Sequence, residues 1–113
     1  MDKVFYAFDD EVVTKFCYDI DNKKIEVHFI GYHDLLENKY HEKPCVLVIE
    51  NWEAAKSKLS IETKFDNLDQ HMGIFSLILF FEINEGNLSI TVNMLDDRYV
   101  DLLFEKPSLR LVI

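Results

Sequence analysis

Glycine and proline are scarce, three and two in 113 residues. That scarcity leaves no linker or low-complexity stretch, and the chain reads as a single domain over 1–113. Cysteine occurs twice, at Cys17 and Cys45, with no Cys-x-x-Cys pair. Redox and structural-zinc chemistry therefore lack their ligand pattern, and two reduced, mostly buried thiols are expected. No run of about 18 uncharged apolar residues is present, so no transmembrane helix is expected. Acids at Asp9, Asp10 and Glu11 come too early for a secretory leader. These absences together predict a cytoplasmic protein.

Positive charge is also in short supply. Lys and Arg number 12 against 21 Asp and Glu, for a net charge of −9. Such a surface repels phosphate backbones and anionic lipid, which argues against nucleic-acid and membrane partners. It suits a basic protein partner, because opposite potentials speed encounter; it also serves plain solubility. Catalytic patterns are missing as well: no Gly-rich phosphate loop, no Ser-centred nucleophile elbow and no His-Glu-x-x-His. The chain reads as a non-enzyme with no cofactor and no metal. His33, Asp34 and His41 match no established ligand spacing, and Asp9, Asp10 and Glu11 lack the glycine and the later glutamate of a calcium loop.

What is abundant is apolar residues, 49% of the chain with 13% aromatic. The longest apolar stretch covers 73–83, where Phe75, Leu77, Leu79, Phe81 and Ile83 alternate with a mixed set. β-branched and aromatic content makes this a central strand. Asn84, Glu85, Gly86 and Asn87 supply a hairpin turn. Closing it opposes Ile83 to Leu88, Phe81 to Ile90, Leu79 to Val92 and Leu77 to Met94, all apolar pairs, so the register is well specified. Continuing past 96–98 sets Val100, Leu102 and Phe104 against Met94, Val92 and Ile90. A second turn over 105–108 sets Leu109, Leu111 and Ile113 against Phe104, Leu102 and Val100. The expectation is a four-stranded C-terminal meander.

Upstream, 12–20 and 25–29 read as another hairpin, pairing Ile20 with Ile25, Tyr18 with Val27 and Phe16 with Phe29. That register also sets Asp19 against Glu26, an unfavourable pair. Val4, Tyr6 and Phe8 suggest a first short strand. The stretch 31–44 reads as a long polar connection, and long connections often carry function. Residues 45–50 form a continuous apolar strand. Asn51 then reads as a helix N-cap, with Trp52, Ala55 and Leu59 on one helical face and Trp52 packed where helix meets sheet. Ile61, Thr63 and Phe65 alternate as a strand would, and 66–72 is a loop or one helical turn. The resulting fold class is mainly β with a minor α component: a curved antiparallel sheet or sandwich of about seven strands, with the C-terminal meander and one or two short helices.

Three acidic clusters are the candidate partner-binding residues. They are Asp9, Asp10 and Glu11; then Asp34, Glu37 and Glu42 with Tyr32 and Tyr40; then Asp96, Asp97 and Asp101 with Tyr99. Aromatics beside acids anchor interfaces, and only one or two clusters would dominate energetically.

The plan of the chain is a small acidic domain with an early hairpin, then a short strand ending in Ile49-Glu50-Asn51-Trp52, then a sheet. With Tyr18-Asp19 and Gly31-Tyr32, it resembles the immunity proteins of bacterial polymorphic-toxin and contact-dependent growth inhibition systems. The resemblance implies a protein that binds and neutralises a cognate toxin domain, often a basic nuclease, and it carries no individual functional residue across. Two other readings stay open. One is a small-ligand-binding β domain, which an enclosed apolar cavity would favour; the other is a non-catalytic subunit of a larger complex, which a broad apolar patch would favour.

Overall fold

The computed structural model describes residues 6–113. Val4, the start of the expected first strand, lies outside them. Among the described residues twelve strands form three antiparallel sheets, with one short helix beside them. The smallest sheet holds β1 (Tyr6–Ala7), β4 (Tyr32–Asp34) and β5 (Lys39–His41), in the order β1-β4-β5. So 31–44 is not an unstructured connection but a short hairpin. The five-stranded sheet has the order β8-β7-β11-β10-β9, with β7 (Ala54–Leu59), β8 (Asp66–Asn67), β9 (Phe75–Asn84), β10 (Asn87–Met94) and β11 (Tyr99–Glu105). The four-stranded sheet has the order β12-β6-β3-β2, with β2 (Val13–Asp19), β3 (Lys24–Phe29), β6 (Cys45–Glu50) and β12 (Ser108–Val112). The helix α1 (Leu68–His71) is a single turn.

The two larger sheets run into each other through one corner. β6 leads into β7 through Asn51, Trp52 and Glu53, and β11 leads into β12 through Lys106 and Pro107. Ser108 pairs with Glu50 before the corner, and Glu105 pairs with Ala54 after it. Between them the Glu53 N–H donates to the Glu105 carbonyl at 2.8 Å. Two long strands thus bend together and change sheets, the device by which crossed sheets share a corner. The bend is set by positive φ at Asn51 (55°) and Lys106 (49°). Pro107 gives no ladder donor where the chain leaves one sheet for the other.

This corner corrects two expectations. β12 pairs with β6, not β11, so the C-terminal meander has three strands rather than four. The turn-like sequence at 105–108 is a bend, because Lys106 and Pro107 redirect the strand without reversing it. Residues 54–59 form a strand, not a helix. Ala55, Ser57 and Leu59 face inward while Lys56 and Lys58 face out, and the inward Ser57 hides this alternation. Its hydroxyl lies 2.8 and 2.9 Å from the Asn67 and Leu68 carbonyls, which makes a serine acceptable there. Trp52 is buried at the corner itself, with its ring centroid 5.0 Å from that of Phe104. Ile61, Thr63 and Phe65 belong to no strand, and Ile61 is 92% exposed.

The register was legible at the Gly86 turn, drifted beyond it, and was shifted in the other two hairpins. Ile83 faces Leu88 and Phe81 faces Ile90 as expected. Further along, irregularities in β9 bring Val92 to Ile78 and Met94 to Phe75. A loop centred one residue earlier than expected, closed by the Arg98 carbonyl accepting from Met94 N–H, sets Leu88 against Phe104 and Ile90 against Leu102. The first hairpin turns one residue earlier too, with Tyr18 on Ile25 and Phe16 on Val27. Asp19 therefore faces Lys24, and Glu26 lies 3.4 Å from the Lys24 ammonium, so the expected like-charge clash does not form. The shifts in the two hairpin registers are even-numbered and keep the buried face, whereas along β9 Val92 meets Ile78 in place of Leu79, a one-residue shift that turns Ile78 into the core.

The core fills the space between these sheets. Ile25, Val27 and Phe29 of β3, with Leu47 and Ile49 of β6, belong to one buried cluster with Leu88, Ile90 and Val92 of β10 and Leu102 and Phe104 of β11. Phe8 joins them, stacked on Phe29 at 4.7 Å and edge-on to Phe81 at 5.3 Å.

On the outer side of β11, Asp101 accepts from Lys58 Nζ and Ser60 Oγ at 2.8 Å each and from Thr91 Oγ1 at 2.9 Å. Burial alone would raise its pKa; the Lys58, Ser60 and Thr91 contacts outweigh it and hold the carboxyl below its usual value. A depressed folded-state pKa gives stability that is present above the unfolded value and lost as pH falls through the folded one. Asp101→Asn should therefore cost about 1 kcal/mol near neutral pH, a figure reduced for partial exposure of the pair. Urea titrations at neutral and acid pH check this: the gap from wild type should narrow in acid.

Candidate functional site

The three acidic clusters meet different fates. In the third, Asp101 is spent on the network just described. Asp96 accepts from Arg98 Nε at 2.8 Å and from Arg98 N–H at 3.3 Å, and the Arg98 contacts hold its pKa below the usual range. Asp97 and Tyr99 remain exposed. In the second, Tyr32 is only 5% exposed, so it is a core residue and not an exposed anchor. Its ring stacks on His41 at 5.1 Å and meets Tyr6 edge-on at 5.3 Å. Asp34 Oδ1 accepts the Leu36 and Glu37 N–H groups at 2.9 and 3.1 Å, so this carboxylate shapes the β4–β5 turn. Those backbone bonds, that from Glu37 first, hold its pKa down. Glu37 lies 3.2 Å from His41 Nε2, and Glu42 is exposed.

The first cluster is different. Asp9 and Asp10 are exposed, and Glu11 is half-buried. Among the described residues none of the three lies in an ion pair. Burial raises the Asp9 pKa; the Phe81 N–H offsets part of this, and the Asp10 charge adds to it. Burial also raises that of Glu11, against the Tyr40 hydroxyl, with Asp10 again adding. Tyr40 Oη donates to Glu11 Oε2 at 3.4 Å, so one residue of the second cluster joins the first. Cys45, buried close by, has its thiol pushed up to about 11 by burial and by the Glu11 charge, which makes it an unreactive thiol. Cys17, expected to be buried, is exposed on β2.

Two groups bring a histidine close to two carboxylates: Asp34, Glu37 and His41, and Glu62, Asp66 and His71. In the second, Asp66 and His71 are near neighbours in the sequence and Glu62 is added by the fold. His71 Nε2 lies 3.0 Å from Asp66 and 3.5 Å from Glu62, which ties α1 to β8 and to the loop before it.

The acidic triad sits at the head of a seam between the two large sheets. β2 and β9 each end their sheet. They meet where Asp10 N–H donates to the Ile78 carbonyl at 2.7 Å, Ile78 N–H donates to the Glu11 carbonyl at 3.0 Å, and Val12 bridges Leu77. Past that point Phe16 stacks on Phe75 at 4.3 Å, and Tyr18 Oη donates to Asp69 Oδ1 at 2.7 Å. Burial and that carboxylate push the Tyr18 pKa up, so the phenol stays a donor. Beyond Phe16 the strands separate and leave a groove lined by Tyr18, Ile20, Met72 and Ile74. A second groove shares Met72, Gly73 and Ile74 with it and extends to Leu95 and Asp96. Val12, Ile20, Ile74 and Leu95 are 57%, 61%, 56% and 67% exposed. Three large aliphatic side chains thus open to solvent in these grooves, with Val12 exposed where the strands meet and carboxylates at the head and side.

Sequence reasoning found the triad and missed this apolar track. Ile20 lies in the turn after β2, Ile74 just precedes β9 and Leu95 borders a turn; only the separation of β2 from β9 beyond Phe16 exposes them together. Comparison with protein-family models, with curated proteins and with solved structures finds no match. No helix among the described residues is long and apolar enough to cross a membrane.

Proposed function

We propose that this chain is a protein-binding module of the immunity type, which associates with a basic partner domain and neutralises it. The observation that supports the reading best is the Asp9, Asp10 and Glu11 triad, which no basic side chain pairs among the described residues. Two of its carboxyls are held above their ordinary pKa by burial and mutual repulsion. Carboxylates destabilised in this way gain when a cation arrives, and a basic nuclease cleft supplies cations that also attract phosphate. The net charge of −9 speeds that encounter.

The test is capture from the source cell lysate with the protein tagged at its N-terminus, at low and high salt. The reading expects one basic domain, bound tightly, with an association rate that falls steeply as salt screens the triad. Asp10→Lys combined with Glu11→Lys should slow association by about tenfold or more at low salt. Recovery of a small molecule in place of a basic protein would overturn the reading in favour of a ligand-binding β domain.

A further inference from the structure

We infer that the seam between β2 and β9 is the docking track, and that its occupant is an extended segment of the basic partner with apolar residues between lysines or arginines. This rests on the protein-binding reading just given and adds where the contact lies and what chemistry fills it.

The shape of the surface argues for a segment. Both flanking strands are sheet termini, so backbone groups along the seam have no strand partner among the described residues once β2 and β9 separate. Unpaired edges of this kind receive extended chain. β2 runs over seven residues, Val13–Asp19, or about 20 Å at about 3.3 Å per residue. A segment of about six or seven extended residues covers it.

The chemistry specifies the segment's composition. Val12, Ile20, Ile74 and Leu95 are too exposed to serve the core, and their burial would reward apolar side chains. Charge favours a cation: Asp9 and Asp10 stand at the head with no ion-pair partner among the described residues, and Asp69, which accepts from Tyr18, lines one groove. Asp96 and Arg98 answer each other at 2.8 Å beside the second groove. An apolar floor with carboxylates at its head and side selects apolar residues between basic ones and rejects acidic segments.

Selection from a displayed library of random peptides of about seven residues tests this with the intact protein. The expected result is a consensus of apolar residues between lysines or arginines. Ile74→Asp and Leu95→Asp should each weaken the selected peptides by about tenfold or more, while Ile61→Asp, also exposed but off the seam, leaves them unchanged. Far-UV circular dichroism confirms that the variants fold. Failure to select any peptide, an acidic or charge-free consensus, or unchanged binding by both seam variants would overturn the proposal. If a basic domain from the lysate binds wild type and both seam variants equally, the seam is wrong and the immunity reading survives. If seam-binding peptides are found but no basic domain exists, the reverse holds.

Discussion

Replacing Phe104 with alanine is expected to cost about 3–5 kcal/mol, the range for truncating a fully buried phenylalanine. Phe104 has no solvent exposure and sits at the corner where β11 leaves one sheet for the other. It faces Leu88 on one side and Ala55 on the other, and its ring carries Trp52. Alanine would leave a cavity beneath the indole that the two bent strands cannot close without breaking their shared ladder. For a domain of ordinary stability, about 5–15 kcal/mol, that removes a large share of the total. Urea denaturation followed by fluorescence reads it directly, because Trp52 is the only tryptophan. A loss under about 1 kcal/mol would mean that the corner is not part of the folded core.

Gly31→Ala is expected to cost about 2 kcal/mol, within the range for overpacking a filled site. A Cβ at Gly31 would overlap the Tyr40 hydroxyl and would lie 2.8 Å from the His41 carbonyl oxygen. The tyrosine can swing aside, giving up its contact with Glu11; the carbonyl cannot, because His41 is paired with Tyr32 in the same hairpin. Tyr40→Ala removes both the hydroxyl and the ring carbon that the Cβ would overlap and should recover part of the loss, so the double variant will be more stable than the sum of the singles by about 0.5–1 kcal/mol. Additive losses would show that the backbone contact alone sets the cost. The substitution also disturbs the side chain nearest the acidic triad, so it should slow association with a basic partner more than its stability cost alone would.

The fold was legible wherever the side-chain period and a short turn acted together. The hairpin around Gly86 was readable to the residue for its first two pairs, since positive φ at Glu85 and Gly86 fixes the turn. Along β9 the register was lost to bulges, which re-aim the side chains so that Ile78 is buried in place of Leu79; at the 20–23 and 95–98 turns it was lost because the turn is centred one residue earlier. β7 was hidden because Ser57 occupies an inward position and Asn51 mimics a helix cap while in fact bending a strand. β12 was placed on the wrong neighbour for a related reason: Pro107 marks a change of direction, and nothing local says whether the chain then reverses or crosses to another sheet.

The candidate site was half legible. Adjacent acids at Asp9, Asp10 and Glu11 are visible as a run, whereas neutralisation is a three-dimensional fact. Asp101 meets Lys58 from a distant strand, and Asp96 is answered by Arg98 two residues on. Tyr32 looks like an exposed anchor only while its segment is taken for a loop. The apolar track along β2 and β9 needs two sheet edges that separate, and no window of sequence contains both.

Co-expression of the captured basic domain with this protein in a host cell tests the central claim most directly. The account predicts that the domain alone arrests growth, that co-expression restores it, and that the Asp10→Lys, Glu11→Lys variant restores it poorly although it folds. A domain that is harmless by itself, or one whose toxicity the wild-type protein leaves untouched, would contradict it.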